Sequence, residues 1–278
     1  MIRVIMSADR AVASHRYSAR ESADLVAAFR RDGYALLKEH FARDILQAWH
    51  AAFAPRLQRH VAAEGDTANR GAARYYVTLP FAPPFADPRI YADPDILTIC
   101  RLLVGEDMFM CQLATDTPLK GSRYQDVHRD APPLFPEAGI ETPPFQLAVN
   151  FPLVDVSGPN GPTEIIAGTH EQPKEIGFER LARNEVHLQA IHMRVGDVLI
   201  RDVRGLHRGT PNTTDEPRPM VVIGYSRRWL LRPEVCVRIG RSAWESLSDE
   251  QRYLLRFNPI VPDAEAVTDA EHYRDFAF

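Results

Sequence analysis

The chain has little cysteine. Three in 278 residues (Cys100, Cys111, Cys236), an odd number with no CxxC pair, exclude a disulfide framework and point to reduced thiols in a cytoplasmic protein. Charge of one sign is also scarce. A net charge of −4 with no long like-charge run leaves no electrostatic footprint for nucleic acid. No apolar run approaches the ~20 residues that span a bilayer, so no membrane partner is expected. Met1 to Arg20 carries arginines but no apolar h-region, so no signal peptide is expected either. Internal repeats and low-complexity linkers are missing too, which makes residues 1–278 one expected domain.

What is present is an ordinary globular balance, 45% hydrophobic and 25% charged. Ser18 to Arg31 is a predicted helix, capped by Ser18 or Ser22, with an apolar stripe of Leu25, Val26, Ala28 and Phe29 and a stop at Gly33. Tyr34 to Leu37 reads as a strand. A second helix is expected from about Ala42 to Ala62, bent or interrupted at Pro55. Glu64 to Arg74 reads as a polar loop. Leu79 to Pro94, rich in proline and aromatics, reads as irregular chain. Pro94 to Val104 is a predicted helix with Ile96, Leu97, Ile99, Leu102 and Leu103 facing the core.

After Gly105 the pattern turns to strands: Met108 to Thr115, Phe145 to Val154, Thr163 to Ala167, Val186 to Met193, Asp197 to Asp202 and Met220 to Arg227. In the second of these, Gln146, Ala148 and Asn150 share one face and Leu147, Val149 and Phe151 the other. Short strands separated by Gly, Pro and Asn turns suggest a sandwich or barrel. The division is then a helical part at about 18–104, a strand core at about 105–230 and a partly helical closing segment at 231–278.

Two stretches carry chemistry. In His128-Arg129-Asp130, an extended backbone aims the imidazole and the carboxylate the same way, because residues two apart share a face. Alone, that spacing arises by chance among ten histidines and also describes a solvated surface pair. The second stretch runs from Gly196 through the apolar Val198-Leu199-Ile200 to His207, where a buried strand meets a loop. Gly205 and Gly209 there permit close backbone approach and positive φ. A lone histidine in such a place is commonly structural. Two histidines and a carboxylate from separate strands can also take one face of an octahedral metal and leave the other open, the signature of a non-haem Fe(II) oxygenase.

His128-Arg-Asp130, then Asn160-Gly161-Pro162-Thr163 leading to Ala167-Gly168-Thr169-His170, then Gly196-Asp197, His207, Asn212 and Arg218 resemble, in order, the motifs of the phytanoyl-CoA dioxygenase family. That family is a branch of the Fe(II)/2-oxoglutarate-dependent oxygenases. Ala167 and Thr169 stand where the family has proline and serine. The opening "helix, Asp32-Gly33-Tyr34, strand" is also similar. The resemblance implies a mainly β fold with flanking helices, built on a double-stranded β-helix (jelly-roll, cupin-like) core.

It further implies that His128, Asp130 and His207 hold Fe(II), and that Arg218 grips the distal carboxylate of 2-oxoglutarate with a planar guanidinium. 2-Oxoglutarate and O2 are then cosubstrates. Gln112, Thr115, Gln146 and Asn150 are further candidates for cosubstrate or substrate contacts, or else they face solvent. His170 reads as structural, and Asp202 as hydrogen-bonded support for the strand of the distal histidine. Arg123, Tyr124 and Arg129 lie beside the first ligands and either face solvent or touch substrate.

The implied activity is oxidation of a C–H bond in a small-molecule or natural-product substrate of secondary metabolism, with hydroxylation as the main outcome. A halogenating relative would replace the Asp130 carboxylate with a small residue. Two rivals remain: a cupin-like metal-dependent isomerase or hydrolase, which has no need of Arg218, and a non-catalytic small-molecule sensor. No basic cluster marks a CoA phosphate site. Pocket-shaping loops are expected at Glu64 to Pro94 and Arg129 to Pro144, the latter as part of a lid.

Overall fold

The computed structural model describes residues 15–64, 70–139, 141–232 and 236–267. Expectations for the first fourteen residues, for residues 65–69 of the Glu64-to-Arg74 loop and for the last eleven residues lie outside that range. No helix among the described residues is long and apolar enough to cross a membrane.

Helix α1 (Ala19–Asp32) begins in a capping box, with Ser18 accepting from the Glu21 backbone and Glu21 reaching back, and ends where Gly33 takes φ 83°. Gly33 has a second reason to be glycine: a Cβ there would lie 2.7 Å from Nδ1 of the buried His170. Strand β1 (Tyr34–Leu37) follows, then α2 (Arg43–Glu64). Pro55 does not interrupt α2. An interior proline costs ~3 kcal/mol. Burying Trp49, Phe53 and Leu57 on the same helix offsets that, at ~1.5–3 kcal/mol per large apolar side chain. Strand β2 (Arg74–Thr78) falls between the expected loop and the expected irregular stretch, and the latter, Leu79 to Pro94, contains a short helix, α3 (Pro88–Tyr91), capped by Asp87. Helix α4 (Pro94–Val104) matches its expected bounds, but Leu102 is 50% exposed, and Cys100 takes its expected place inside.

The strands are β3 (Phe109–Pro118), β4 (Gln146–Pro152), β5 (Thr163–Ile165), β6 (Gln189–Ile191), β7 (Val198–Asp202), β8 (His207–Gly209) and β9 (Met220–Ser226). Ile239–Gly240 and Ile260–Val261 make a separate parallel pair in the closing segment; of the nine strands β1 to β9, six form one antiparallel sheet in the order β1-β7-β4-β9-β3-β2. The other three form a small antiparallel sheet, β6-β5-β8, which the His128 segment extends by pairing with His207. The fold is a jelly-roll with helices flanking the large sheet. Helix α5 (Lys174–Ala182), between β5 and β6, was not expected from the sequence.

The large sheet is buried on both faces, and the two faces differ. Leu147, Val149 and Phe151 of β4, Val198 and Ile200 of β7, and Val221, Ile223 and Tyr225 of β9 join α1, α2 and α4 in the main core. Alternate residues on the same strands, including Asn150, Arg201, Met220 and Val222, line a cavity between the large sheet and the small one. The closing segment joins the main core through Val237, Ile239, Leu254 and Leu255.

Candidate metal centre

His128 and His207 are directly opposed across an antiparallel pair. Each backbone N–H donates to the other's carbonyl, at 2.9 and 3.0 Å. The N–H of Asp130 donates to the Val203 carbonyl at 2.9 Å, so the HxD segment is zipped to the turn that precedes His207. His207 thus lies on its own short strand beyond that turn, not at the end of β7 as expected. Neither Gly205 nor Gly209 adopts positive φ. Gly209 is needed for close approach instead: a Cβ would sit 2.4 Å from the Arg74 guanidinium.

Both imidazoles are held in one way. His128 Nδ1 lies 2.7 Å from the Asp126 carbonyl and His207 Nδ1 lies 3.0 Å from the Gly205 carbonyl. A carbonyl only accepts, so a proton belongs on each Nδ1, and Nε2 is the nitrogen each ring can turn to a metal. The two Nε2 atoms lie 3.8 and 3.5 Å from the two Asp130 carboxylate oxygens. The three ligand atoms fall within 4.8 Å of one another. Adjacent ligands around an ion with ~2.1 Å bonds sit ~3 Å apart, so a small contraction would close the set on one ion.

The electrostatics favour the ligating forms. Burial, reinforced by the neighbouring His207, pushes His128 down to about 4, so it is neutral at physiological pH. Burial opposes ionisation of Asp130, but Arg201 and His207 outweigh it and hold the carboxyl well below the usual range.

Arg218 lies just before β9, fully buried, and is no surface arginine. Its Nη2 donates to the Gly161 carbonyl, while Nε and Nη1 are buried without a partner. Burial, with Arg74 close by, lowers its pKa to about 10 against the pull of Asp116. A buried cation with two idle donors is a site built for an anion.

The remaining candidates separate by strand face. Gln112 and Asn150 line the cavity; Gln112 donates to the Tyr76 hydroxyl and Asn150 to the Val221 carbonyl. Thr115 is a correction. It is buried on the opposite face of β3, within reach of the Val77 carbonyl at 3.5 Å, and does not line the cavity, because Gln112, Ala114 and Asp116 take the inward positions. Gln146 also misses the cavity and contacts Cys111. His170 packs against Phe29 and belongs to no candidate ligand cluster among the described residues.

Asp202 pairs with Arg204 and accepts from its backbone N–H, which braces the turn before His207. Arg123 and Tyr124 are exposed. Arg129 neither faces solvent nor reaches the cavity: it is buried and bonded to Glu141 and to the Thr169 and Gln172 carbonyls. Between the ligands and the end of the expected lid, Ala131 and Leu134 pack with Tyr76, Phe145 and Val203.

Four residues that bear on the site were not singled out in the sequence. Arg201, on β7, lines the cavity and donates to Asp130 through Nη2 and to Asn150 through Nε, the latter at 3.1 Å. Arg74, on β2, donates to Asp116 at 2.6 Å and to the Thr210 carbonyl at 2.8 Å. Tyr76 and Asp116 line the same cavity. Arg201 alone left a trace, as a charge ending the apolar run Val198-Leu199-Ile200.

The sequence profile of the phytanoyl-CoA dioxygenase (PhyH) family matches residues 29–220. Among solved structures, the non-heme alpha ketoglutarate dependent epimerase SnoN from nogalamycin biosynthesis is 20% identical, with a TM-score of 0.56 over 76% of this chain and 84% of that one. EctD from S. alaskensis with bound Fe is 24% identical, with a TM-score of 0.55 over 76% and 77%. HygX from Streptomyces hygroscopicus, with nickel and 2-oxoglutarate bound, is 16% identical, with a TM-score of 0.54 over 86% and 95%. At these identities the likeness is one of fold.

Proposed function

The chain belongs to the phytanoyl-CoA dioxygenase family, and on that premise we propose that it is a non-haem Fe(II)- and 2-oxoglutarate-dependent dioxygenase. Its substrate is a small molecule, and its outcome is most simply hydroxylation of an unactivated C–H bond. One observation carries the reading: a cavity holds a His128, Asp130, His207 donor set, and Arg218, which interacts with the cavity-lining Asp116, is buried with two idle donors. A hydrolase or isomerase on a similar barrel needs the first feature but not the second.

The residues fit the groups the family implies. Two imidazole Nε2 donors and one carboxylate suit Fe(II) and leave coordination positions open. The idle Nε and Nη1 of Arg218 suit the distal carboxylate of 2-oxoglutarate, as a planar fork that lysine could not match. When bound, iron with 2-oxoglutarate and dioxygen supplies an oxidant strong enough for a C–H bond, with succinate and carbon dioxide as by-products.

The chain supplies the rest. The paired backbones of His128 and His207 fix the spacing of two ligands. Arg201 fixes the rotation of the third. Burial of Arg218 raises the worth of its anion contact by excluding water. Ala148, Val203 and Val222 give the substrate side of the cavity an apolar wall. Asp130 occupies the position a halide would need, which favours oxygen transfer over halogenation.

Adding Fe(II) and 2-oxoglutarate under anaerobic conditions should produce a weak visible charge-transfer absorption. His207→Ala should abolish it. A wild-type protein with no such band, or a variant with an undiminished one, would reject this function. A succinate-release screen across candidate substrates then identifies the prime substrate.

A further inference from the structure

Two arginines line the cavity, Arg70 and Arg201; Arg70 stacks over the Tyr76 ring, and Arg201 is the one that touches the ligand set. Its Nη2 holds Asp130 and its Nε holds Asn150, while Nη1 is buried without a partner. We propose that the prime substrate is an organic acid with an apolar body, and that Arg201 seats its carboxylate through Nη1. The inference rests on the function proposed above and deepens it.

Charge decides between this and a merely structural role. Fe(II) and doubly charged 2-oxoglutarate, taken with Asp130 and Arg218, make a neutral centre. Arg74 and Asp116 form a pair and cancel. Arg201, which shares the Asp130 carboxylate with the metal site, then brings the sum to one net positive charge. Arg70, stacked over the Tyr76 ring on the same cavity, contributes no negative charge. Leaving a buried cation uncompensated is costly, whereas one more anion would satisfy both the charge and the idle N–H. The 1-carboxylate of 2-oxoglutarate is already counted in the neutral centre, so the missing anion comes from the prime substrate.

The surroundings specify the rest of the molecule. Arg201 is opposite Ala148 in the β4–β7 register. Ala148 belongs to a cluster with Ala114, Ala131, Val203 and Val222. Small apolar side chains next to a guanidinium leave room for a carbon skeleton that runs from the carboxylate along the sheet. Tyr76 and Gln112, hydrogen-bonded to each other, bound that space with one polar pair.

The test uses full-length protein loaded with Ni(II), a redox-silent ion, and saturated with 2-oxoglutarate. Calorimetry then measures binding of small organic acids, among them hexanoate and 3-phenylpropanoate, each against its own carboxamide. In wild type the acids should bind about tenfold or more tightly than their amides, the worth of one charge-assisted hydrogen bond. In Arg201→Gln the preference should fall to about one. Arg201→Lys, which keeps the charge and loses the fork, should retain part of it.

The Ni(II) and 2-oxoglutarate affinities of each variant are measured alongside, because Arg201→Gln also frees Asp130. The proposal is overturned if no acid outcompetes its amide in wild type. It is overturned equally if the preference survives in Arg201→Gln, or if that substitution weakens 2-oxoglutarate in place of the acids. A wild-type protein that binds neither Ni(II) nor 2-oxoglutarate would instead sink the function from which this one starts.

Discussion

The two faces of the large sheet are made by the same strands and differ in what they leave unsatisfied. Towards the helices, Leu147, Val149, Phe151, Ile200, Val221 and Ile223 close into one apolar core. Towards the small sheet, the intervening positions hold Asn150, Arg201 and Met220, with Arg74 and Arg218 nearby. The idle donors on this second side are guanidinium nitrogens of Arg74, Arg201 and Arg218. Stability therefore rests mainly on one face and chemistry on the other. A strand alternating with period two can serve both because neighbouring side chains never compete for the same space.

That division can be broken experimentally. The largest expected effect is from His207→Ala, which should abolish metal binding and turnover while leaving the thermal midpoint of the metal-free protein nearly unchanged. Its mirror image is Phe151→Ala, which should cost ~3–5 kcal/mol of stability and leave metal affinity intact in the folded fraction, read by denaturant titration. If both substitutions moved both quantities, the two faces would not be separable.

Arg218→Met comes next. It should raise the 2-oxoglutarate requirement by about a hundredfold, consistent with ~2–5 kcal/mol for a buried charged pair, with iron affinity unchanged. Stability should hold or rise, since an uncompensated buried charge is removed. Equal 2-oxoglutarate affinity in the variant would reject the anchor.

Gly209→Ala should destabilise by ~1–3 kcal/mol through overpacking against Arg74. An Arg74→Ala background should relieve most of that, and an additive double mutant would argue against the contact.

Acid should act through the site as well. His128 is held at about 4, below its ordinary 6.5. Between those values the unfolded chain binds the proton and the folded one does not, so metal-free protein should lose stability as pH falls from about 6.5 to about 4. The part due to this group should be absent in His128→Phe. The smallest effect is expected from Thr115→Val, which faces the helices: less than ~1 kcal/mol of stability and no change in 2-oxoglutarate requirement.

Legibility in the sequence followed the range of the forces involved. Helices α1 and α4 were readable because their caps and glycine stops act within a few residues. The faces of β4 were readable from alternation alone. Strand β2 was not read, although Tyr75-Tyr76-Val77-Thr78 is rich in strand-favouring residues, because the run is short and lacks alternation, and its pairing with β3 sets its bounds. Thr115 was misplaced because β3 alternates only weakly in sequence; in the structure regular pairing with β9 from Gln112 to Asp116 puts it on the face opposite Gln112.

The ligand triad and Arg218 could be nominated from motif order and spacing, since their identities are chemical requirements written into the chain. That His128 and His207 exchange backbone hydrogen bonds, that Arg201 holds Asp130, and that Arg218 is buried with idle donors were decided only by tertiary structure. Each of these depends on residues 57 to 79 positions apart in sequence. A local pattern specifies which way a side chain leaves its strand, but whether a partner awaits it depends on how distant strands register.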